Sequence, residues 1–320
     1  MKEFGGYLPF ELRKGSEWYT GENVVALNCA RYAIVYAAMD AGYKKLYIPF
    51  YMCDTVKEAL ERYDIDYAEY HFEESFYPKG VALREDEGIL YPNYYGLCSD
   101  EKCKWVVDTY RNVIFDNTQA FFAEPKLDAY YVYSCRKFIG VSDGAYVVHK
   151  NISHKSLEKD ISNDRMQYLF KCLEEGTNAA YADSLNLEKT LTDSKMMEMS
   201  DLTHLLLKNA DYEKNKSIRV RNFSILDNAL LNYNVYNPIC NMGDVPMVYP
   251  FLIDAEGVRE NLVKKHNIYI PQWWKALLKE HSITEFEERM ARYLLPLPID
   301  MRYDVTDMNE LAELVLSEIE

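Results

Sequence analysis

Short apolar runs alternate with helical patterns through the first half of the chain. Residues 24–28 form the first run and predict a buried strand, and a helix is predicted from about Cys29 to Asp40, closed by Gly42. This alternation predicts an α/β fold with a mainly parallel sheet covered by helices on both faces. Further strands are predicted at 46–49, 67–72, 89–93, 113–117, 129–134 and 145–149, and helices at 54–63 and 100–110.

The last two predicted strands of this half, 129–134 and 145–149, have only a loop between them. Parallel neighbours in a sheet need a crossover connection of a dozen or more residues, usually a helix. We therefore expect the strand at 145–149 to run antiparallel to its neighbours.

The pattern changes after the predicted sheet. From about Ser156 to Asn234 the chain is polar and helical, with apolar residues at helical spacing. Its segment 188–201 is rich in Lys, Asp, Met and Ser and predicts either a long excursion or a contact between subunits. We assign 1–236 to a large domain, of which 151–236 is the helical end.

A smaller unit is predicted after Asn237-Pro238. Mixed strands and helices there predict a small α+β domain over 237–320. The predicted strands lie at 245–253 and 268–272, and the predicted helices near 256–266, 284–293 and 306–319.

Composition narrows the function. With 320 residues, of which 48% are hydrophobic, the chain is long enough to bury a core. Asp and Glu outnumber Lys and Arg by 51 to 36, and the net charge of −15 repels phosphate backbones, so we expect no nucleic-acid partner. No stretch approaches the ~20 apolar residues of a membrane span. The first six residues lack the apolar core of a signal peptide, so we expect a cytoplasmic protein without membrane contacts.

The seven cysteines are scattered along the chain. A secreted disulfide framework normally has an even number in a shorter chain. Cys98 and Cys103 are the only close pair in the sequence, and no second Cys or His pair follows at the spacing of a zinc site. We expect reduced cysteines with structural roles and no metal site.

The segment from Ile114 to Ala145 carries the candidate chemistry. Asp116 lies at the end of one predicted strand, and Lys137 follows the end of the next, three residues after Ser134. Ligands of open α/β sheets bind beyond the carboxyl ends of the strands, where both side chains are expected. Pyridoxal phosphate needs a lysine for its aldehyde and an acidic partner for its pyridine nitrogen. Asp116 and Lys137 meet both needs.

Each residue also has an ordinary explanation. An aspartate at a strand end is commonly a helix cap or a turn residue. A loop lysine is usually a solvated charge. The order of Asp116 and Lys137 on successive strand ends, after a β-α pattern, favours cofactor binding over these roles.

The motifs resemble those of the DegT/DnrJ/StrS-type sugar aminotransferases, a branch of the fold type I enzymes that depend on pyridoxal phosphate. The family motif D-x-x-Q-A matches residues 116–120. The family lysine is followed seven positions later by a glycine of a G-E-G-G-like turn, which here is Gly144, preceded by Asp143. Supporting similarity lies at 28–31, 48–51, 94–96 and 295–298, and the likeness is strongest in residues 24–150.

This resemblance implies the fold and the central residues of a site. The fold would be that of a type I enzyme, with a large domain on a mainly parallel seven-stranded sheet and a small α+β domain at the C-terminus. Pyridoxal 5'-phosphate would be the cofactor. Lys137 would bind it covalently and move the proton during catalysis, Asp116 would pair with the pyridine nitrogen, and Gln119 would lie near the phenolic oxygen.

The resemblance also implies how the cofactor is held at its edges. Ser134 would hydrogen-bond the phosphate through its hydroxyl. Ala30 and Arg31, at the start of the first helix, would offer backbone N–H groups and positive charge to the same phosphate. Tyr51 is the candidate for the aromatic side chain that stacks on the ring.

Some positions depart from the family pattern. Ala30-Arg31 stands where the family has Gly-Thr or Gly-Ser, and Cys53 occupies the usual position of the stacking aromatic. The family segment that reaches the partner's active site has no clear match. Arg219 and Asn222 belong to the nearest basic cluster, which a solvated helix face explains as well.

From the resemblance we expect an aminotransferase that transfers an amino group from L-glutamate to a ketosugar carried on a nucleotide. Such an enzyme would act in polysaccharide biosynthesis as a homodimer with small-molecule substrates. Two alternatives stay open. One is other chemistry with the same cofactor, such as dehydration or elimination. The other is a regulatory relative that keeps the fold without catalysis, which the departures at Ala30, Cys53 and Ala145 favour.

Overall fold

The structure is a computed structural model that describes residues 4, 6–8, 10–12, 15–72 and 74–319. Its main sheet has the strand order β1-β8-β7-β6-β5-β2-β3-β4. Seven strands are predicted from the sequence and all are present, but the sheet has an eighth, the two-residue β4, which was too short to give a pattern. The strands are β1 (Val24–Leu27), β2 (Lys45–Pro49), β3 (Asp66–Phe72), β4 (Pro78–Lys79), β5 (Glu87–Pro92), β6 (Val113–Asn117), β7 (Tyr130–Ser134) and β8 (Ala145–Val148).

Strand direction follows the connections. β7, β6, β5, β2 and β3 run parallel to one another. β8 is antiparallel to β7 on one side and to β1 on the other, as predicted from the helix-free loop before it. The carboxyl ends of β6 and β7 therefore lie side by side at one end of the sheet.

Helices cover both faces of this sheet. Alternate residues of β6 point to opposite faces, and Ile114 joins the cluster that includes α1 (Ala30–Ala41) while Phe115 joins the cluster that includes α3 (Asp100–Tyr110). α2 (Thr55–Arg62) lies on the α1 side. Gly42 ends α1 with φ 77°, a left-handed conformation that glycine adopts without strain, as predicted.

The helical segment after the sheet returns to cover its edge. β1 is an edge strand, and the backbone N–H of Asn28 at its end donates to the carbonyl of Met197 at 3.0 Å, while Leu27 forms a bridge with Glu198. This pairing covers backbone groups that an edge strand otherwise leaves open. The segment contains α4 (Gln167–Glu175), α5 (Tyr181–Asp193), α6 (Asp201–Leu207) and α7 (Tyr212–Leu230).

A second, two-stranded antiparallel sheet lies near the C-terminus. The predicted strand at 268–272 is wrong, because Asn267 ends the preceding helix with φ 56° and Pro271 lacks the N–H that a strand interior needs. The elements are β9 (Val248–Leu252), α8 (Val258–His266), α9 (Glu285–Tyr293), β10 (Leu294–Pro298) and α10 (Val305–Ser317).

The core of this C-terminal unit is shared with the helix before it. Phe223, Leu226 and Leu230 of α7 lie in one buried cluster with side chains of β9, β10 and α10. The division into domains at 236/237 stays a prediction. Within the described residues, no helix is long and apolar enough to cross a membrane. Residues 1–3 and 5, part of the segment on which the signal-peptide prediction rests, lie outside the described part.

Candidate active site

The neighbouring ends of β6 and β7 bring Asp116 and Lys137 to one place. Asp116 is buried, and its Oδ1 accepts a hydrogen bond from the backbone N–H of Thr118 at 3.0 Å. Lys137 lies three residues beyond β7, and its Nζ donates to Oγ1 of Thr118 at 3.3 Å. Thr118 thus bonds both residues that the sequence selects and holds the lysine amine beside the strand ends.

The surroundings of Lys137 favour a neutral amine. Lys137 is an exposed residue, but protein atoms surround its amine, and this desolvation is the main cause that lowers the pKa of Lys137. The negative charge of Asp116 and the thiol of Cys53 raise this pKa, and the positive charge of Arg136 lowers it. The net direction is downward. A lysine with a lowered pKa carries more unprotonated amine at neutral pH, as a nucleophile or base requires.

Helix α7 fixes the loop that carries the lysine. Nδ2 of Asn215 donates to the carbonyl of Phe138 at 2.8 Å, and the guanidinium of Arg219 lies 4.5 Å from the centre of the Phe138 ring. Burial lowers the pKa of Arg219 to about 10. Asn222 is also buried, so the expectation of a solvated helix face at Arg219 and Asn222 is wrong.

The turn before β8 is held from two sides. The buried carboxylate of Asp143 accepts hydrogen bonds from the backbone N–H and the hydroxyl of Ser200, both at 2.9 Å, and from the hydroxyl of Thr203. The N–H of Gly144 donates to the carbonyl of Asn28 at 2.7 Å. This turn therefore joins the start of α6 to the end of β1, just beyond the lysine loop.

Two other predicted residues lie near these strand ends. Oε1 of Gln119 accepts a hydrogen bond from the backbone N–H of Tyr95 at 2.8 Å, which supports a turn where Tyr95 has φ 62°. Ser134 is the last residue of β7 and is buried opposite Ala145 of β8. Gln119 thus has a structural role, and its role near the phenolic oxygen stays a prediction.

The predicted stacking residue, Tyr51, is differently placed. Its side chain has no exposed surface, and its ring meets that of Trp274 edge-to-face at 4.4 Å. In this structure the Tyr51 ring presents no exposed face to a ligand, and its stacking on the cofactor stays a prediction. Cys53 is exposed, and its thiol is near enough to Lys137 to raise the lysine pKa.

Three charged side chains meet beside Lys137. Ala30 begins α1, and Nη1 of the next residue, Arg31, donates to Oγ1 of Thr192 at 2.7 Å. Nη2 of Arg31 lies 3.9 Å from Oε2 of Glu188, whose Oε1 pairs with Nη2 of Arg136. Arg31 was predicted as a site residue, but its pairing with Glu188, the position of Arg136 and the role of Thr118 were not. Arg136 adjoins the lysine, but the helical pattern of 181–193 gave no sign that Glu188 reaches it.

Other features lie apart from these residues. A cavity of about 590 Å³ on the α3 side is lined by Cys98, Asn117 and Asp244 among others, but not by Asp116 or Lys137. The seven cysteines are free. Among the described residues, no group of three or more His, Cys, Asp or Glu side chains is placed to hold a metal.

Several solved structures are similar to this chain over most of its length. An aminotransferase of the DegT, DnrJ, EryC1 and StrS group from Brucella abortus is 13% identical, with a TM-score of 0.60 over 92% of this chain and 85% of that one. NtdA from Bacillus subtilis, with bound cofactor PMP, is 12% identical, with a TM-score of 0.65 over 92% and 73%. PseC from Helicobacter pylori, an aminotransferase involved in the biosynthesis of pseudoaminic acid, is 11% identical, with a TM-score of 0.60 over 92% and 86%.

This chain has the fold of these solved structures. The α/β architecture expected of a fold type I enzyme is therefore confirmed, with eight rather than seven strands in the main sheet. Comparison with family models and with curated proteins found no match. Within this fold, Asp116 lies at the end of β6 and Lys137 follows the adjacent end of β7, where ligands of such sheets bind.

Proposed function

We propose that this chain is an aminotransferase that uses pyridoxal phosphate to transfer an amino group to a sugar. The observation that carries the proposal is Lys137 itself. Its amine has a lowered pKa, is hydrogen-bonded to Thr118 and lies close enough to Asp116 for the carboxylate to raise that pKa. An ordinary loop lysine extends into solvent and shows none of these features.

The residues present fit the cofactor. Lys137 is placed to bind the aldehyde, and Asp116 is placed to bind the pyridine nitrogen with Gln119 nearby. Nε of Arg136 is buried and has no hydrogen-bond partner among the described residues. A bound ligand with a hydrogen-bond acceptor next to Lys137 would satisfy this donor. Phosphate oxygens are acceptors that arginine binds well.

The phosphate would lie between the start of α1 and the lysine loop. Ala30 and Arg31 supply the first backbone N–H groups of α1, whose N-cap residue, Cys29, makes no side-chain cap. Uncapped N–H groups and the positive end of the helix favour an anion. Ser134, at the end of β7, and Arg136, in the lysine loop, would bind the phosphate from the other side. We assign these residues to phosphate binding.

The chain's own residues would carry the remaining steps. When bound, pyridoxal phosphate supplies an electron sink for the negative charge that develops on a substrate carbon. The carboxylate of Asp116, oriented by the Thr118 N–H, would hold a proton on the ring nitrogen. Lys137, whose pKa is lowered, would act as the base that takes a proton from the substrate carbon and gives it back. Thr118 holds that amine when it is free of the aldehyde.

We further propose the substrates and setting. The amino donor is L-glutamate, the acceptor is a ketosugar carried on a nucleotide, and the product enters polysaccharide biosynthesis in the cytoplasm. A homodimer is the proposed assembly. The support is the fold shared with the aminotransferases named above, among them one involved in the biosynthesis of pseudoaminic acid.

The test is an absorbance titration with pyridoxal phosphate. Wild type is expected to develop a visible band from the covalent linkage, which borohydride removes, whereas Lys137→Ala develops none. Asp116→Asn should retain the band but lose most of the transamination, because the neutral amide does not hold the ring nitrogen protonated. Absence of the band in wild type contradicts the proposal and favours a regulatory relative.

Addition of glutamate separates the two enzymatic readings. A transaminase consumes the visible band and releases one 2-oxoglutarate per site in the absence of a sugar. A dehydratase or eliminase leaves the band in place and releases no keto acid from glutamate. A panel of nucleotide-linked ketosugars, assayed for restoration of the band, then identifies the acceptor.

A further inference from the structure

A single carboxylate joins two arginines next to the candidate catalytic lysine. Glu188 of α5 pairs with Arg136 through Oε1 and lies 3.9 Å from Nη2 of Arg31 through Oε2. The arginine side chains are 9% exposed at Arg31 and 20% at Arg136, whereas that of Glu188 is 54% exposed. The carboxylate therefore closes over the two guanidinium groups from the solvent side.

The charges explain why an anion is needed there. Arg31 and Arg136 bring two guanidinium groups together in a mostly buried place, and buried like charges are costly without a counter-ion. The negative charge of Glu188 raises the pKa of Arg136 and also acts to raise the pKa of Lys137. In this structure Glu188 is the counter-ion.

The carboxylate does not satisfy the whole site. Nε of Arg136 stays buried without a hydrogen-bond partner among the described residues. The N-cap residue of α1, Cys29, leaves the first N–H groups of that helix without a side-chain acceptor, and Arg31 is the second residue of the helix. A group with more oxygens than a carboxylate, such as a phosphate monoester, matches this larger set of donors.

We propose that Glu188 competes with the phosphate of the cofactor for Arg31 and Arg136. The inference rests on the proposed function for the identity of the phosphate ligand. α5 then acts as a cover whose glutamate must leave the two arginines when the phosphate monoester enters. The affinity for phosphate ligands is accordingly set by this chain's own carboxylate as well as by its arginines.

The competition predicts a gain of affinity when the carboxylate is removed. Glu188→Gln should bind pyridoxal phosphate about twofold to fivefold more tightly than wild type, the range expected when a partly exposed ion pair no longer has to be broken. The affinity for pyridoxal, which lacks the phosphate, should change less, because only the effect of Glu188 on the pKa of Lys137 remains. Arg136→Gln should weaken pyridoxal phosphate binding more than pyridoxal binding.

The matched control is Glu158→Gln. Glu158 is an exposed carboxylate that pairs with Lys195 and not with either arginine. Its replacement by glutamine makes the same change in net charge as Glu188→Gln. Dissociation constants are measured by equilibrium dialysis at fixed ionic strength. Glu188→Ala provides a second variant with the same expected direction, and a thermal melt of each variant verifies folding.

The outcomes separate this inference from the proposed function. If Glu188→Gln and Glu188→Ala bind pyridoxal phosphate no more tightly than wild type, the competition is refuted even when Lys137 forms its covalent linkage. If no linkage forms at all, inorganic phosphate is the probe. Greater thermal stabilisation of Glu188→Gln than of wild type by inorganic phosphate then supports the anion site alone, and equal stabilisation overturns it.

Discussion

Gly144 allows the sharpest test of the packing around the lysine loop. It has φ +116°, and a Cβ placed on it would lie 3.0 Å from Cγ2 of Thr203 and 3.2 Å from Sγ of Cys135. Residues other than glycine rarely adopt this backbone conformation, and both contacts are tighter than most Cβ atoms show, so the neighbouring atoms must shift. Gly144→Ala therefore meets backbone strain and a clash together.

The two costs have different sizes and can be separated. The backbone strain is about 1–2 kcal/mol, and overpacking of a filled core adds about 1–3 kcal/mol. Gly176→Ala is the matched control, because Gly176 has φ +92° but nothing within 4 Å of its Cβ position. The control should lose only the strain, and the smaller entropy of an unfolded chain with alanine is common to both variants.

Urea denaturation gives the free energy of unfolding for both variants. Gly144→Ala should lose about 1–3 kcal/mol more than Gly176→Ala. Thr203→Ser removes the closest methyl group but keeps the hydroxyl that bonds Asp143, so it should restore part of the loss in the double variant. Equal losses for the two glycines, or no rescue by Thr203→Ser, would refute this picture of the turn.

Three further predictions concern the same region. Asp143→Ala should lower the free energy of unfolding by about 3 kcal/mol, because its buried hydrogen-bond donors lose their acceptor, and Asp143→Asn should lose less; urea denaturation measures both. Arg219→Met should cost about 2–4 kcal/mol, since it leaves two buried acceptors unpaired, and a loss below about 1 kcal/mol would contradict the assigned role. The lowered pKa of Lys137 leaves more of its amine unprotonated, so Lys137 should be acylated faster at mildly alkaline pH than the side chain of Nα-acetyl-lysine. Mass spectrometry of the modified peptides gives the rate, and a slower reaction would contradict the lowered pKa.

Local patterns were sufficient for most of the sheet. Each of three correct predictions depends on only a few residues. They are the strand at 24–28, the end of α1 at Gly42, and the antiparallel pairing of β7 and β8, which are joined without a helix. The strand predicted at 268–272 is absent because Asn267 adopts a left-handed conformation and Pro271 lacks an N–H, which the apolar pattern alone did not take into account. β4 was not predicted because its two residues show no alternation.

The candidate site divides in the same way. Asp116 and Lys137 follow from strand ends, which sequence reveals, and the structure brings them together through Thr118. Glu188 lies on a helix about fifty residues farther along, and only the packing of α5 brings it to Arg136. Tyr51 was a reasonable candidate by position, yet its ring is enclosed by aromatic neighbours that come from distant parts of the chain.

The central claim is that Lys137 is the residue that binds the cofactor. Borohydride reduction of the protein after incubation with pyridoxal phosphate fixes any covalent linkage, and peptide mass spectrometry then locates the pyridoxyl group. We predict one group per chain, on the peptide containing Lys137, and none in Lys137→Ala. Labelling spread over exposed lysines such as Lys126 and Lys150, unchanged in Lys137→Ala, would contradict the claim.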